Sequence, residues 1–478
     1  MVGPRSGWSN PRFKEEAMVM TLRQERDSMG AVEVPADAYY GSQTARAVAN
    51  FQVSGLVLPA ALVHAMALVK VHAARVNADL GLLDARLAGA IIQAAREVAE
   101  GRLDHQFPVD VFQTGSGTST HMNLNEVVAG RANEILTGRR GGREPVHPND
   151  HVNMGQSSND VVPTAIHVAA RRAMADDLKP SLVRLASVLE KKESEFKPVV
   201  KIGRTHLQDA VPMGLGDEFS GYAAQVRLGI QRIDAVRPRL EELALGGTAV
   251  GTGLNADPAF APAVIRGLAR ETGIGFVETR NHFQAQAAQD TAVELSGAVK
   301  TVAISLVKIA NDLRWLASGP RCGIGEINLP ALQPGSSIMP GKVNPVIPEA
   351  VIQVAAQVVG NDATISFAGA GGHFELNTML PVIAYNLLQS ISLTAAAARI
   401  LADKCIDGIT ANRNVCAANI ERSLALVTAL VPEIGYDRAA AIAKAAHASG
   451  RTIREEARAG GMLDEATLHR LLGPPFTT

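Results

Sequence analysis

Of the 478 residues only 4% are aromatic and three are cysteine. Scarce aromatics and few alternating β-branched runs exclude a sheet-built core and leave helix as the dominant element. Cys322, Cys405 and Cys416 lie far apart, with no CxxC pair and no His-rich spacing. Neither a disulfide framework nor a zinc site is encoded, and a reducing cytoplasm is the expected location. An excess of one charge is also missing, since Lys+Arg 46 against Asp+Glu 47 gives −1. With no basic block to track a phosphate backbone, nucleic acid is not an expected partner. The longest apolar candidate, LVLPAALVHAMALVKVHAARV, is interrupted by His64, Lys70 and His72, short of the ~18 apolar residues a bilayer span needs. No membrane partner is expected. Residues 1–20 lack the apolar segment of a signal peptide and include Glu15 and Glu16, so they read as a mobile N-terminal extension or the product of an early start codon.

What is present is helical periodicity. Over residues 290–318, Leu295, Val299, Val302, Leu306, Ile309, Leu313 and Leu316 keep one apolar stripe until Ser318-Gly319-Pro320 stops it. Such a stripe is ordinary core or oligomer packing, and it predicts helix-to-helix assembly. A second helical region is predicted from SSNDVVPTAIHVAARRAM, capped by Asn159 or Asp160, with Pro163 in its first turn and Pro180 interrupting it. A third spans about 215–245 with a kink at Pro238, and a fourth runs from Pro348 to about Val359. Helices this long imply an elongated bundle. Length suggests about three units. The expected spans are an N-terminal domain over 21–156, a central helical bundle over 157–411, and a small C-terminal domain over 412–478 broken at Pro432, Gly435 and Gly450.

Four loops are dense in Gly, Ser, Thr and Asn: TGSGTSTHMN from Thr114, GQSSND from Gly155, GRTHLQDA from Gly203, and GSSIMPGKVNP at 335–345. Each is predicted to adjoin a helix end, where unpaired N–H groups favour carboxylate or phosphate. Taken singly, such Ser and Thr are caps and such Gly are turns, and His206 or Lys342 alone is an ordinary polar residue. Together they suit a small dicarboxylate whose proton next to a carboxylate is removed, with elimination to follow. A serine serves as that base only if N–H groups and a cation stabilise its oxyanion, and Ser336 has Gly335, Ser337 and Lys342 beside it.

GSSIMPGKVNP resembles the GSSxMPxKxN signature of the fumarase/aspartase superfamily, and the flanking blocks resemble class II fumarases from about Thr21 to the C-terminus. The resemblance implies an all-α, three-domain fold whose central helices form a twenty-helix bundle in a homotetramer, with each active site shared by three subunits. It implies no metal and no organic cofactor. Ser336 would be the catalytic base at C3 of malate, and His206, oriented by Glu349, would handle the water at C2. Ser116, Gly117, Thr118, Ser157, Ser158, Asn159, Thr205, Ser337, Lys342 and Asn344 would bind substrate, and His147, Asn149 and Asp150 a second carboxylate.

The leaving group divides the superfamily. VHPND at 146–150, QSSND, LALGGTAVGTGLN and HFELN resemble fumarases, whereas AYYGSQT at 38–44, His151 and EINLPALQ resemble aspartases. The substrate-facing SSN trio decides for reversible hydration of fumarate to (S)-malate, a lyase activity, with aspartate ammonia-lyase as the alternative. Three departures from the fumarase pattern stand out: His121 for an asparagine, Glu144 for an arginine, and Gln284 for a glutamate.

Overall fold

A computed structural model describes residues 21–473; the N-terminal extension lies outside the described residues. The chain opens with the hairpin β1 (Leu22–Asp27) and β2 (Gly30–Pro35). Helices α1 (Ser42–Asn50), α2 (Ala60–Asp79), α3 (Ala85–Ala99), α4 (Thr118–Thr137), α5 (Ser158–Ala173) and α6 (Lys179–Phe196) follow. A second hairpin, β3 (Val200–Thr205) and β4 (Gln208–Gly214), precedes α7 (Leu215–Leu240), α8 (Phe260–Thr272), α9 (His282–Ala287), α10 (Asp290–Leu316), α11 (Val346–Gly369) and α12 (Leu380–Ile400). Every sheet among the described residues is two-stranded, in keeping with the all-α expectation.

The chain divides into two compact units. One comprises the chain up to Ala169, Glu241–Gln289 and Ala368–Tyr385. Its core is built from α2, α3, α4 and α8, with Leu62, Met66, Ile91 and Leu124 withdrawn from solvent. The other comprises Ala170–Leu240, Asp290–Phe367 and the chain from Asn386 onward. Within it α7 packs on α6 and α10, and residues 420–472 share one apolar cluster with Ile202 of β3, centred on Leu430, Ile453 and Leu468.

The stripe on α10 behaves as its spacing requires. All seven of its predicted positions are buried, each worth about 1.5–3 kcal/mol when fully withdrawn from water. That burial is complete within one chain, so the stripe by itself does not call for a partner. Several boundaries differ from the sequence reading. Pro163 sits beyond the first turn of α5, and Pro180 opens α6 after one wide turn at Met174–Leu178 instead of breaking the helical path. The third helix ends at Leu240, two residues past Pro238. The fourth runs on to Gly369, ten residues past the predicted end at Val359, and its buried polar side chains there are satisfied. Asn361 donates to Ser390 Oγ at 3.0 Å, and Asp362 accepts from Ser296 and Lys300.

Leu380–Gly408 is long and apolar enough to cross a membrane, a stretch the sequence reading passed over. In this fold 67% of its most apolar window is buried inside the protein.

Candidate active site

Three of the four loops do lead into helices, at the starts of α4, α5 and α11. The fourth does not. GRTHLQDA is the tip of the β3–β4 hairpin, with Thr205 paired to Gln208 across the two-residue turn His206-Leu207. Both turn residues have positive φ, 57° and 61°, as a type I′ turn demands. Such turns favour Asn-Gly; a histidine and a leucine there carry strain of order 1–3 kcal/mol each. Both turn residues are exposed, so the imidazole of His206 faces solvent at the hairpin tip.

The hairpin is anchored beneath its tip. Arg204 forms a two-pronged ion pair with the fully buried Glu326, at 2.8 and 2.9 Å, and Lys201 approaches the same carboxylate at 3.3 Å. Lys201 also donates to Glu218 at 2.8 Å, and Asn419 to Glu326 at 3.2 Å. Burial pushes the Glu326 pKa up, but the Arg204 hydrogen bonds and the two cations outweigh it and hold the group below the usual carboxylate range. In the sequence EINLPALQ stands out only as a stretch resembling aspartases, and nothing local marks Glu326 as the anchor of this hairpin.

The GSSIMPGKVNP loop is closed on itself. Gly335 N–H donates to Lys342 O at 2.7 Å, and Asn344 Nδ2 donates back to Gly335 O at 2.6 Å. A Cβ at Gly335 would lie 2.7 Å from Lys342 O and 2.8 Å from Asn344 N, so only glycine fits. Inside this ring Ser336 Oγ accepts the backbone N–H groups of Met339 at 2.9 Å and Ile338 at 3.2 Å. Ser337 and Lys342 are exposed. Lys342, Asn344 and Glu349 line a cavity of about 610 Å³ together with Arg314, Trp315 and Asn328. Among the described residues no hydrogen bond joins Glu349 to His206 within one chain.

The remaining residues belong to the first unit. Gly117, at φ 76°, turns the chain into α4, and Ser116 Oγ lies 2.7 Å from Thr118 Oγ1. Ser157 Oγ accepts from Asn159 N–H, and Asp160 accepts from Ser157 N–H, so α5 is capped by Ser157 and Asp160 and not by Asn159. Asp160 is buried and also accepts the N–H groups of Gly246 and Thr248, while Asn159 Nδ2 donates to Ala249 O at 2.8 Å. The QSSND and GGTAVG stretches are therefore one structure. Burial pushes the Asp160 carboxyl up despite those three N–H donors.

His121, the unusual residue, is fully buried with Nδ1 2.8 Å from Ser158 Oγ and Nε2 2.6 Å from the equally buried Lys70 Nζ. In the sequence Lys70 is a charge that interrupts an apolar run, and nothing in its local sequence points to Ser158. His147 Nδ1 accepts the N–H groups of Asn149 and Asp150, capping their short turn, and desolvation pushes its pKa down. Gln284 is exposed in the first turn of α9, and nothing in the structure gives it a role. AYYGSQT has a structural explanation: Gly41, Gln43 and Thr44 all donate to Glu126 of α4, which fixes the start of α1.

A family model described as Lyase matches residues 30–360, and one described as Fumarase C C-terminus matches residues 426–475. The class II fumarate hydratase of Nitrosomonas europaea is 56% identical over 435 residues, 91% of this chain and 94% of its own. The Bradyrhizobium diazoefficiens protein named fumarate hydratase class II 2 is 54% identical over 456 residues, covering 95% and 96%. A solved structure of recombinant class II fumarase from Schistosoma mansoni matches with a TM-score of 0.92 at 42% identity, over 95% of this chain and 98% of that one.

Proposed function

The chain belongs to the class II fumarate hydratase family of lyases, and from that membership we propose that it interconverts fumarate and (S)-malate with Ser336 as base. The observation that carries the role of Ser336 is the pair of backbone N–H groups held on its Oγ. A serine hydroxyl is a poor base because its alkoxide is costly in water; two fixed donors and the nearby Lys342 cation lower that cost. In the dehydration direction Ser336 takes the proton from C3 of malate, and the electron pair left behind moves into the adjacent carboxylate. Lys342 and Asn344 are the donors suited to that developing aci-carboxylate. The electrons then return to form the double bond as the C2–O bond breaks, and the oxygen leaves as water with a proton from His206. Hydration is the reverse. Ser116, Thr118, Ser157, Ser158, Asn159, Thr205 and Ser337 supply neutral donors to carboxylate and hydroxyl, and His147, Asn149 and Asp150 a second carboxylate subsite.

Purified protein given fumarate is expected to lose the ultraviolet absorbance of the conjugated double bond with no ammonia consumed. Release of ammonia from L-aspartate faster than malate turnover would establish the ammonia-lyase alternative instead.

The same reading includes a three-domain division at about residues 156 and 411, and a cytoplasmic homotetramer with active sites shared by three subunits. The free cysteines suit a reducing compartment. Assembly is supported by α11, where Val359 and Phe367 stay exposed, Phe367 at 77%, with Ala356, Gly360 and Ala363 on the same side. An apolar helical face of this kind is costly to leave in water. Light scattering at micromolar protein is expected to give four times the chain mass; a monomer would contradict the shared site.

A further inference from the structure

The buried Lys70–His121 pair behind Ser158 has no part in the chemistry described so far. We propose that Lys70 and His121 form a proton-gated relay that sets the direction of the Ser158 hydroxyl, and with it the preference of the site for carboxylate or hydroxyl over ammonium. This rests on the dicarboxylate reading above and deepens it.

The hydrogen-bond inventory forces the direction. Lys70 Nζ has three neighbours: His121 Nε2 at 2.6 Å, Gln156 Oε1 at 2.9 Å and Asn153 Oδ1 at 3.1 Å. Both amides are locked oxygen-first toward the lysine, because Asn153 Nδ2 donates to Gln156 O and Gln156 Nε2 donates to Val152 O and Met154 O. An ammonium has three donors and no acceptor. A charged Lys70 therefore fills all three contacts as donor, which makes His121 Nε2 a lone pair and puts the imidazole proton on Nδ1. Nδ1–H then donates to Ser158 Oγ, and the serine's own O–H is free to donate to a ligand.

Remove one proton and the bonds from Lys70 to His121 and from His121 to Ser158 both reverse. A neutral Lys70 has two donors, both taken by the amide oxygens, and its lone pair accepts from Nε2–H. His121 Nδ1 is now the acceptor, so Ser158 must donate inward and offers the ligand only lone pairs. The first arrangement suits an anionic or hydroxylic ligand; the second suits an ammonium group. His121 stays neutral in both.

The titratable groups facing this cluster are Lys70 on α2, His121 on α4 and Asp160 on α5. Burial pushes Lys70 well below the usual lysine range, with the Asp160 charge opposing it, so the neutral form lies within reach. Burial, with the Lys70 charge adding to it, likewise depresses His121, which keeps it neutral. A dicarboxylate brings negative charge to Ser158 and favours the charged lysine, so its binding draws in a proton wherever the free relay is neutral.

Succinate is the probe, with proton uptake counted by calorimetry in two buffers of unlike ionisation enthalpy. The wild type is expected to take up about one proton per succinate between the pH where free Lys70 loses its charge and the higher pH where Lys70 of the complex does, with none below that onset. His121→Asn is expected to move that onset by at least about one pH unit, a tenfold change in proton affinity. Lys70→Met is expected to abolish the uptake; should that variant fail to fold by circular dichroism, the His121→Asn onset decides alone. An onset that coincides with the wild type overturns the relay.

If succinate does not bind and fumarate is not hydrated, the dicarboxylate reading has failed and the relay is tested on the free protein. The imidazole ¹⁵N resonances then serve, His121 being the signal lost in His121→Asn. A change from the Nδ1–H to the Nε2–H tautomer with rising pH supports the relay, and a single tautomer throughout overturns it.

Discussion

Ser336→Ala is expected to lower kcat for malate dehydration by about 10²- to 10⁴-fold while leaving helical content and assembly unchanged. The size follows from what the substitution removes. Ser336 Oγ accepts the amide N–H groups of Ile338 and Met339, and alanine supplies them no acceptor. The structural cost is local, on the order of 1 kcal/mol for each lost bond in a partly exposed loop. The ring between Gly335, Lys342 and Asn344 uses no atom of the Ser336 side chain and stays closed. Because the donors persist, KM is expected to change much less than kcat. Steady-state assays in both directions, with circular dichroism on the same sample, make the comparison. A fall of less than tenfold in kcat would remove Ser336 from the role of base.

The contrast between this loop and the hairpin that carries His206 shows where the sequence was legible. GSSIMPGKVNP could be read because its constraints are local: a glycine required by close backbone approach, hydroxyls beside it, and a helix start after it. The α10 stripe was legible for a similar reason, since one period held over the whole helix. The β3–β4 hairpin was not. Its strands lack strict alternation, and its turn is His-Leu where Asn-Gly would announce a type I′ geometry.

What holds that turn in place is long-range and leaves no local trace, because Glu326 lies 122 residues from Arg204. The end of the fourth helix failed for the same reason. Past Val359 the helix carries Asn361 and Asp362, which it keeps because Ser390 and Ser296 satisfy the two polar side chains. Lys70 is the strongest case. It carries a charge inside an apolar helix, and its partners His121, Asn153 and Gln156 arrive from 51 to 86 residues away.

The anchor under His206 yields the second large effect. Glu326→Gln is expected to destabilise the protein by about 3–5 kcal/mol at neutral pH, the range for removing one partner of a buried ion pair. The carboxylate is fully buried between Arg204 and Lys201, so an amide there leaves two cations facing an uncharged group and turns an N–H₂ toward them. Activity is expected to fall as well, mainly in kcat, because Arg204 lies two residues before the strained turn that presents His206.

The acid limb carries the sign. Glu326 is held below its ordinary value of about 4.3 in the folded protein, so its contribution is complete above that value and is lost as pH falls through the lower, folded one. Wild type and Glu326→Gln should therefore differ most above about pH 5 and converge in strong acid, where the wild-type carboxyl is also neutral. Urea unfolding at a series of pH values measures this directly. A gap between the two proteins that persists undiminished into strong acid would mean that the Glu326 charge is not what holds the hairpin, and would place its effect in packing alone.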